Sequence, residues 1–156
     1  EAKAAAEAAE AAESRASAPA AAPAPQAAAG TAVTATAKVT NGAGPLKPRA
    51  QAAANAVVSN VPGVGGITMG GTRASATDPG GHPSGLAIDY MVGTGNVALG
   101  NAIVEYHIAN WDALGVEYLI YRQRMLSSPT GSWKAMEDRG GITANHMDHP
   151  HVNYRG

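Results

Sequence analysis

The chain is 156 residues long, with eleven basic and twelve acidic residues and a formal net charge of -1, and its Lys and Arg form no separate stripe, which excludes nucleic acid as an expected partner. With no cysteine, disulfides and thiolate ligands are both ruled out, so any metal must be held by imidazole and carboxylate. No apolar run reaches the roughly 18 residues that a membrane-spanning helix needs.

Composition divides the chain unevenly. Residues 1–44 are mostly Ala with Pro, Thr and Gly, and such an arm buries too little apolar surface to offset the entropy of ordering. Residues 1–14 hold strong helix formers without Leu, Ile or Val, so a solvated helix is predicted there and no coiled-coil seam. Pro19, Pro23 and Pro25 then forbid a regular helix and favour extended, semi-rigid spacing, and residues 31–40 alternate Thr with Ala and Val as a weak strand. The whole arm reads as a tether to an anchor or partner outside this sequence. Consistent with that, the chain starts at Glu1 without an initiator Met or a signal sequence, as a processed or engineered fragment would. Residues 45–156 form the one expected domain, large enough for a single core and small enough to gain from a bound metal.

Pro48 stands as a first-turn proline for a helix over residues 49–60, whose apolar residues recur at helical spacing. Residues 61–66 (VPGVGG) read as a turn, and residues 67–73 as a short extended piece ending on Arg73. Residues 86–92 (LAIDYMV) alternate as a strand that carries Asp89. The main helix is predicted over residues 96–114, capped by Asn96 and stopped by Gly115, with Val97, Ile103, Val104, Ile108, Trp111 and Leu114 on one stripe. A β-rich run follows over residues 116–121, with residues 122–125 as a candidate continuation, then a polar turn over residues 127–131. Residues 152–154 read as the strand that carries His151. Together these elements predict an α+β domain with helices on a sheet.

Two short windows concentrate the groups with metal-ligand chemistry, residues 78–89 (DPGGHPSGLAID) and residues 146–151 (HMDHPH). A hydrolytic zinc site takes three protein ligands and keeps a fourth position for water, whose pKa then falls to about 7. His82 and Asp89 suit two of those ligands, because Gly80, Gly81 and Gly85 free the backbone for His82 to turn back toward Asp89 on its strand. His149 and His151, two apart, point the same way on a strand, whereas Asp148 points oppositely unless Pro150 bends the chain. On this geometry the third ligand is open. Ligation by His and Asp without sulfur suits zinc.

The segment His82-Pro-Ser-Gly-Leu-Ala-Ile-Asp89 resembles the His-x-x-Gly-x-Ala-x-Asp signature of the zinc D-Ala-D-Ala carboxypeptidases and related peptidoglycan peptidases, whose fold is shared with the N-terminal domain of hedgehog proteins. Asp148-His-Pro-His151 is similar to the Asp-x-Pro-His element of the L-alanyl-D-glutamate endopeptidase branch, and Asp148-His-Pro-His-Val152 to the ending of a group of secreted actinobacterial and fungal proteins. The resemblance implies a hedgehog/DD-peptidase-like fold, a small antiparallel sheet flanked by helices. It implies His82, Asp89 and His151 as ligands of Zn2+, and Asp148 as the general base. Arg73 matches an arginine that binds substrate or stabilises the oxyanion, and His149 is left to orient substrate or support the tetrahedral intermediate. The expected function is zinc-dependent hydrolysis of amide bonds in cell-wall peptidoglycan, in a secreted or cell-envelope setting. The pattern departs from the family in Gly80, where a Ser is usual, and in Asp148, where the carboxypeptidase branch has Glu.

Plainer readings compete with these. His146 can merely cap a loop and stays outside the expected site, and His107 reads as a packed or surface residue of the main helix. Arg73 can pair with Asp78 or Asp138, and Trp133 can line a groove or anchor a loop. Gly80-Gly81 and Gly140-Gly141 open no predicted helix, so they need no phosphate to explain them. The alternative to an enzyme is a non-catalytic module that binds the cell wall or a partner on a peptidase-like fold. A third reading has the metal serving stability alone.

Overall fold

The computed structural model describes residues 30–75 and 78–156. The helix expected over residues 1–14 and the spacer after it lie outside them. The boundary expected at Pro45 falls later than the first tertiary contacts. Residues 30–37 run along the first helix, where Ser59 Oγ accepts from the Thr34 and Ala35 N–H groups, Asn55 Oδ1 from Ala37 N–H and the Ala32 carbonyl from Asn60 Nδ2. Ala37 is buried, and Val39–Thr40 forms strand β1 of the sheet. This part of the tether is therefore domain.

Among the described residues the architecture is α+β, with one seven-stranded sheet and three helices. The strands are β1, β2 (Thr68–Gly70), β3 (Ala87–Met91), β4 (Val116–Tyr121), β5 (Arg124–Leu126), β6 (Lys134–Ala135) and β7 (His151–Tyr154). Their order is β1-β2-β3-β7-β4-β5-β6, antiparallel at every pairing except β1 with β2. The last strand thus enters the middle of the sheet between β3 and β4.

Helix α1 (Pro48–Asn60) starts on the predicted proline. The predicted single helix over residues 96–114 is two: α2 (Val97–Ala109) and a short α3 (Trp111–Leu114). Asn96 caps α2 by accepting from Leu99 N–H, and Gly115 closes α3 at φ 71, both as predicted. The break falls at Asn110, whose backbone leaves helical geometry at φ -122 and ψ 30, while both its N–H and its side-chain amide donate to the Tyr106 carbonyl. Residues 122–125 do not prolong β4. Arg122 and Gln123, at φ 52 and 61, turn the chain tightly so that β5 pairs back onto β4.

One face of the sheet meets the helices. Ile88, Tyr90, Leu119, Tyr121, Val152 and Tyr154 from the strands share a core with residues of all three helices. Without Phe, tyrosines fill this core, and a buried hydroxyl must find a partner. Tyr90 and Tyr154 hydroxyls meet at 2.8 Å, and His107 Nε2 lies 2.8 Å from the Tyr154 hydroxyl. His107 Nδ1 donates to the Ile103 carbonyl at 2.7 Å, which leaves Nε2 to accept from Tyr154 and Tyr154 to accept from Tyr90. His107 is fully buried and neutral, its pKa pushed down to about 4 by burial. The plain reading of His107 as a packed residue holds.

Candidate metal centre

Strand pairing brings the two windows together on the face opposite the helices. Asp89 of β3 lies directly across from His151 of β7, and Ile120 of β4 directly across His151 on its other side. The pairing of β7 with β3 is prolonged past the strand end, since Tyr90 N–H donates to the Pro150 carbonyl and Gly93 N–H to the Asp148 carbonyl. Pro150 offers no N–H to the ladder but keeps its carbonyl in it. His82 opens a 3-10 turn (His82–Ser84) that Gly85 closes at φ 79. The glycine hinge read from the sequence is thus present at Gly85.

His82, Asp89 and His151 are all buried, and one ligand atom from each lies within 4.8 Å of the others, an arrangement that could hold a metal ion. His151 Nδ1 is 2.8 Å from Asp89 Oδ1 and His82 Nε2 is 3.2 Å from the same oxygen. His82 Nδ1 donates to the Gly71 carbonyl at 2.8 Å, which makes Nε2 the bare nitrogen of the ring. That buried Nε2 has no hydrogen-bond partner. A bare imidazole nitrogen facing a carboxylate is the combination a cation would satisfy. Burial works against the charge on Asp89, but the hydrogen bond from His151 and the approach of His82 more than reverse it and hold the carboxyl far below its usual range. Burial lowers the His151 pKa, against the pull of Asp89, so the ring is neutral as a ligand must be.

The second oxygen of Asp89 belongs to Arg73, whose Nη2 donates to Oδ2 at 2.8 Å. Arg73 therefore pairs with neither Asp78 nor Asp138. Its guanidinium holds Asp89 so that Oδ1 alone faces the imidazoles, while half of the Arg73 side chain stays exposed. Arg73, which the resemblance marked for substrate or oxyanion, is thus in direct contact with the candidate ligand carboxylate.

His149 and Asp148 form a pair beside this group. His149 Nδ1 lies 2.7 Å from Asp148 Oδ1, and the other Asp148 oxygen accepts from Thr143 Oγ1 at 2.9 Å. An ionised carboxylate fixes the proton on Nδ1, so His149 presents a bare Nε2, 3.5 Å from Asp89 Oδ1. Burial opposes the charge on Asp148, and the bonds from His149 and Thr143 overcome it and lower its pKa. The imidazole, not Asp148, lines the adjoining cleft.

That cleft has a volume of about 600 Å3 and is open to solvent at the candidate centre, with His82, His149, His151 and Arg73 in its wall. Three other side chains there, Tyr118, Asp78 and His146, lie outside the expected site. Tyr118 stacks on His151, rings 17° apart at 5.9 Å, and its hydroxyl donates to Asp78. Burial, then the Asp78 carboxylate, hold the phenol above its usual pKa. His146, set aside as a loop cap, lies with its ring 4.9 Å from His149 and 5.5 Å from His151. Burial, with His149 and His151 nearby, pushes its pKa down to about 3. The sequence did carry a signal for His146, since it stands three and five residues before two site imidazoles. Asp78 also began the first window, but nothing marked Tyr118 as its partner. Trp133 packs on the core instead of lining the cleft, with Arg124 over its ring at 5.2 Å.

The model of a protein family described as VldE, C-terminal domain, matches residues 42–147. This span takes in Arg73, His82 and Asp89 and stops just before Asp148. No curated protein and no solved structure matches the chain.

Proposed function

We propose that this chain, which belongs to the VldE C-terminal domain family, is a zinc-dependent hydrolase of peptide amide bonds in cell-wall peptidoglycan, acting outside the cell or in its envelope. The observation that carries the reading is the bare, buried Nε2 of His82 set against Asp89 and His151 at the mouth of an open cleft. The finer fold assignment, a hedgehog/DD-peptidase-like sheet, belongs to the same proposal and is supported by the order of the two windows on adjacent central strands.

His82, Asp89 and His151 would hold the metal, and zinc is preferred because nitrogen and carboxylate ligands without sulfur suit it. When bound, it would supply Lewis-acid polarisation of the scissile carbonyl and acidify a water. The protein's own groups do the rest. His149 Nε2 accepts the proton of the attacking water, while Asp148 keeps the ring in the accepting tautomer and stabilises the charge that forms on it. The resemblance assigns the proton to Asp148 itself; in this geometry Asp148 acts through His149. Arg73 holds Asp89 and offers its exposed edge to the oxyanion. Tyr118, tied to Asp78, holds the His151 ring in place.

One observation favours a second reading, a module that binds cell-wall peptide or a partner without cleaving it. Asp148 is engaged by His149 and Thr143 and does not face the cleft. Digestion of purified peptidoglycan by metal-loaded protein separates the two. A hydrolase releases new amino termini, and Asp148→Asn lowers the rate by about 10²- to 10⁴-fold with the metal retained, the usual range for losing general acid–base catalysis. Peptidoglycan that is bound but never cleaved would leave the binding module.

A further inference from the structure

The cleft beside the metal centre is built for an anion. Its wall holds two permanently charged arginines, Arg73 and Arg139, on a chain whose formal net charge is -1. Asp78 is the one carboxylate on the same wall among the described residues, and it is already engaged, accepting from Tyr118 and from the Gly80 N–H. Arg73 is engaged too, on Asp89. Arg139 differs. Its nearest carboxylate is that of Glu137 at 3.7 Å, a side chain 79% exposed, and a pair of that kind holds its partner weakly.

The loop that carries Arg139 is nonetheless fixed. Asp138 Oδ1 accepts from Gly140 N–H and from Asn145 Nδ2, both at 2.8 Å, and Asn145 Oδ1 accepts from Arg139 N–H at 2.7 Å. The far side of the loop is tied to the β4–β5 turn, where Arg122 and Gln123 N–H groups donate to the His146 and Asn145 carbonyls. A guanidinium on a braced loop, in a cleft wall and weakly paired, is preorganised for a planar anion. Ile120, Met125 and Met136 give the same cleft an apolar lining.

We propose that Arg139 is a specificity residue, a subsite that takes a carboxylate of the peptide substrate while the apolar lining covers the chain between that carboxylate and the metal centre. The inference rests on the function proposed above for its substrate class, and the binding it asserts does not require turnover. The substrate is then an acidic peptide, carrying the free carboxylate of an acidic residue away from the scissile amide.

Calorimetric titration of the full chain with two synthetic peptides, C-terminally blocked L-Ala-D-Glu-L-Lys and its equally blocked counterpart with D-Gln for D-Glu, tests this. The acidic peptide is expected to bind about tenfold or more tightly than the amide, the discrimination one charge-assisted bond supplies. Arg139→Gln is expected to erase that preference while leaving metal content and affinity for the amide peptide as they were, and Arg139→Lys to restore part of it. Glu137→Gln should keep or strengthen the preference. A wild-type preference that survives Arg139→Gln, equal binding of both peptides, or binding of neither at millimolar concentration overturns the proposal. If the preference follows Arg139 but neither peptide is cleaved, the subsite stands and the hydrolase reading does not.

Discussion

Two buried histidines illustrate how the same side chain is settled in opposite ways. In His107 both nitrogens are used, one on the Ile103 carbonyl and one on Tyr154, and the ring is part of the core. In His82 one nitrogen is anchored on Gly71 and the other is left without a hydrogen bond, which costs about 1–3 kcal/mol in a metal-free protein. The first arrangement makes stability depend on pH. Above pH 6.5 His107 is neutral in both folded and unfolded chains; as pH falls from 6.5 toward about 4, only the unfolded chain takes up the proton, and stability is lost. The loss from this ring is on the order of 3 kcal/mol over the full window. Urea unfolding at pH 7 and pH 4.5 should show a large drop for wild type and a smaller one for His107→Gln; equal drops would contradict this assignment. From sequence, the two histidines could be separated by their neighbours, since His82 stands among Gly80, Gly81 and Gly85 with Asp89 seven residues on, and His107 sits in a helix. Arg73's grip on Asp89 could not be read, because the two lie sixteen positions apart with the His82–Ser84 turn between them.

At the scale of elements, strand alternation and helix caps were legible because they are local. Asn96, Gly115 and Pro48 mark ends that the backbone honours. The break between α2 and α3 was not legible, since a side chain that bonds back to the Tyr106 carbonyl leaves the apolar stripe unchanged. The weak strand read over residues 31–40 is realised only at its end, as β1, and its pairing with β2 was not legible because it depends on residues far along the chain. Gly100 shows a packing constraint of the same non-local kind. A Cβ there would run into the Tyr121 hydroxyl and ring edge, and Tyr121 is buried and cannot move aside. Gly100→Ala gains at most about 1 kcal/mol of helix propensity, against about 1–3 kcal/mol for overpacking. The variant is expected to lower the melting temperature by several degrees, and Gly100→Ala with Tyr121→Phe to recover part of it. A higher melting temperature for the single variant would show that the helix and β4 can part at little cost.

For the whole molecule, the sequence windows are linked by one topological fact: the last strand is inserted between β3 and β4. That insertion puts Asp89 and His151 in register, brings Tyr118 over His151 and swings the Asp148–His149 pair to the edge of the cleft. The residue types were legible at both windows, but their roles were divided by contacts the sequence does not display, such as Thr143 on Asp148. The α+β class followed from the pattern of elements. The tether was misjudged over residues 30–44 because small residues can lie flat on a helix whose buried side is mostly alanine, where low hydrophobicity is no obstacle to packing.

Metal content per chain tests the central claim most directly, on protein purified without added metal and again after incubation with zinc and removal of the excess. About one zinc per chain is expected for wild type and none for His82→Ala combined with His151→Ala, with Asp148→Asn keeping its metal. No zinc in wild type even after incubation, or equal zinc in the double variant, would contradict a metal centre at His82, Asp89 and His151.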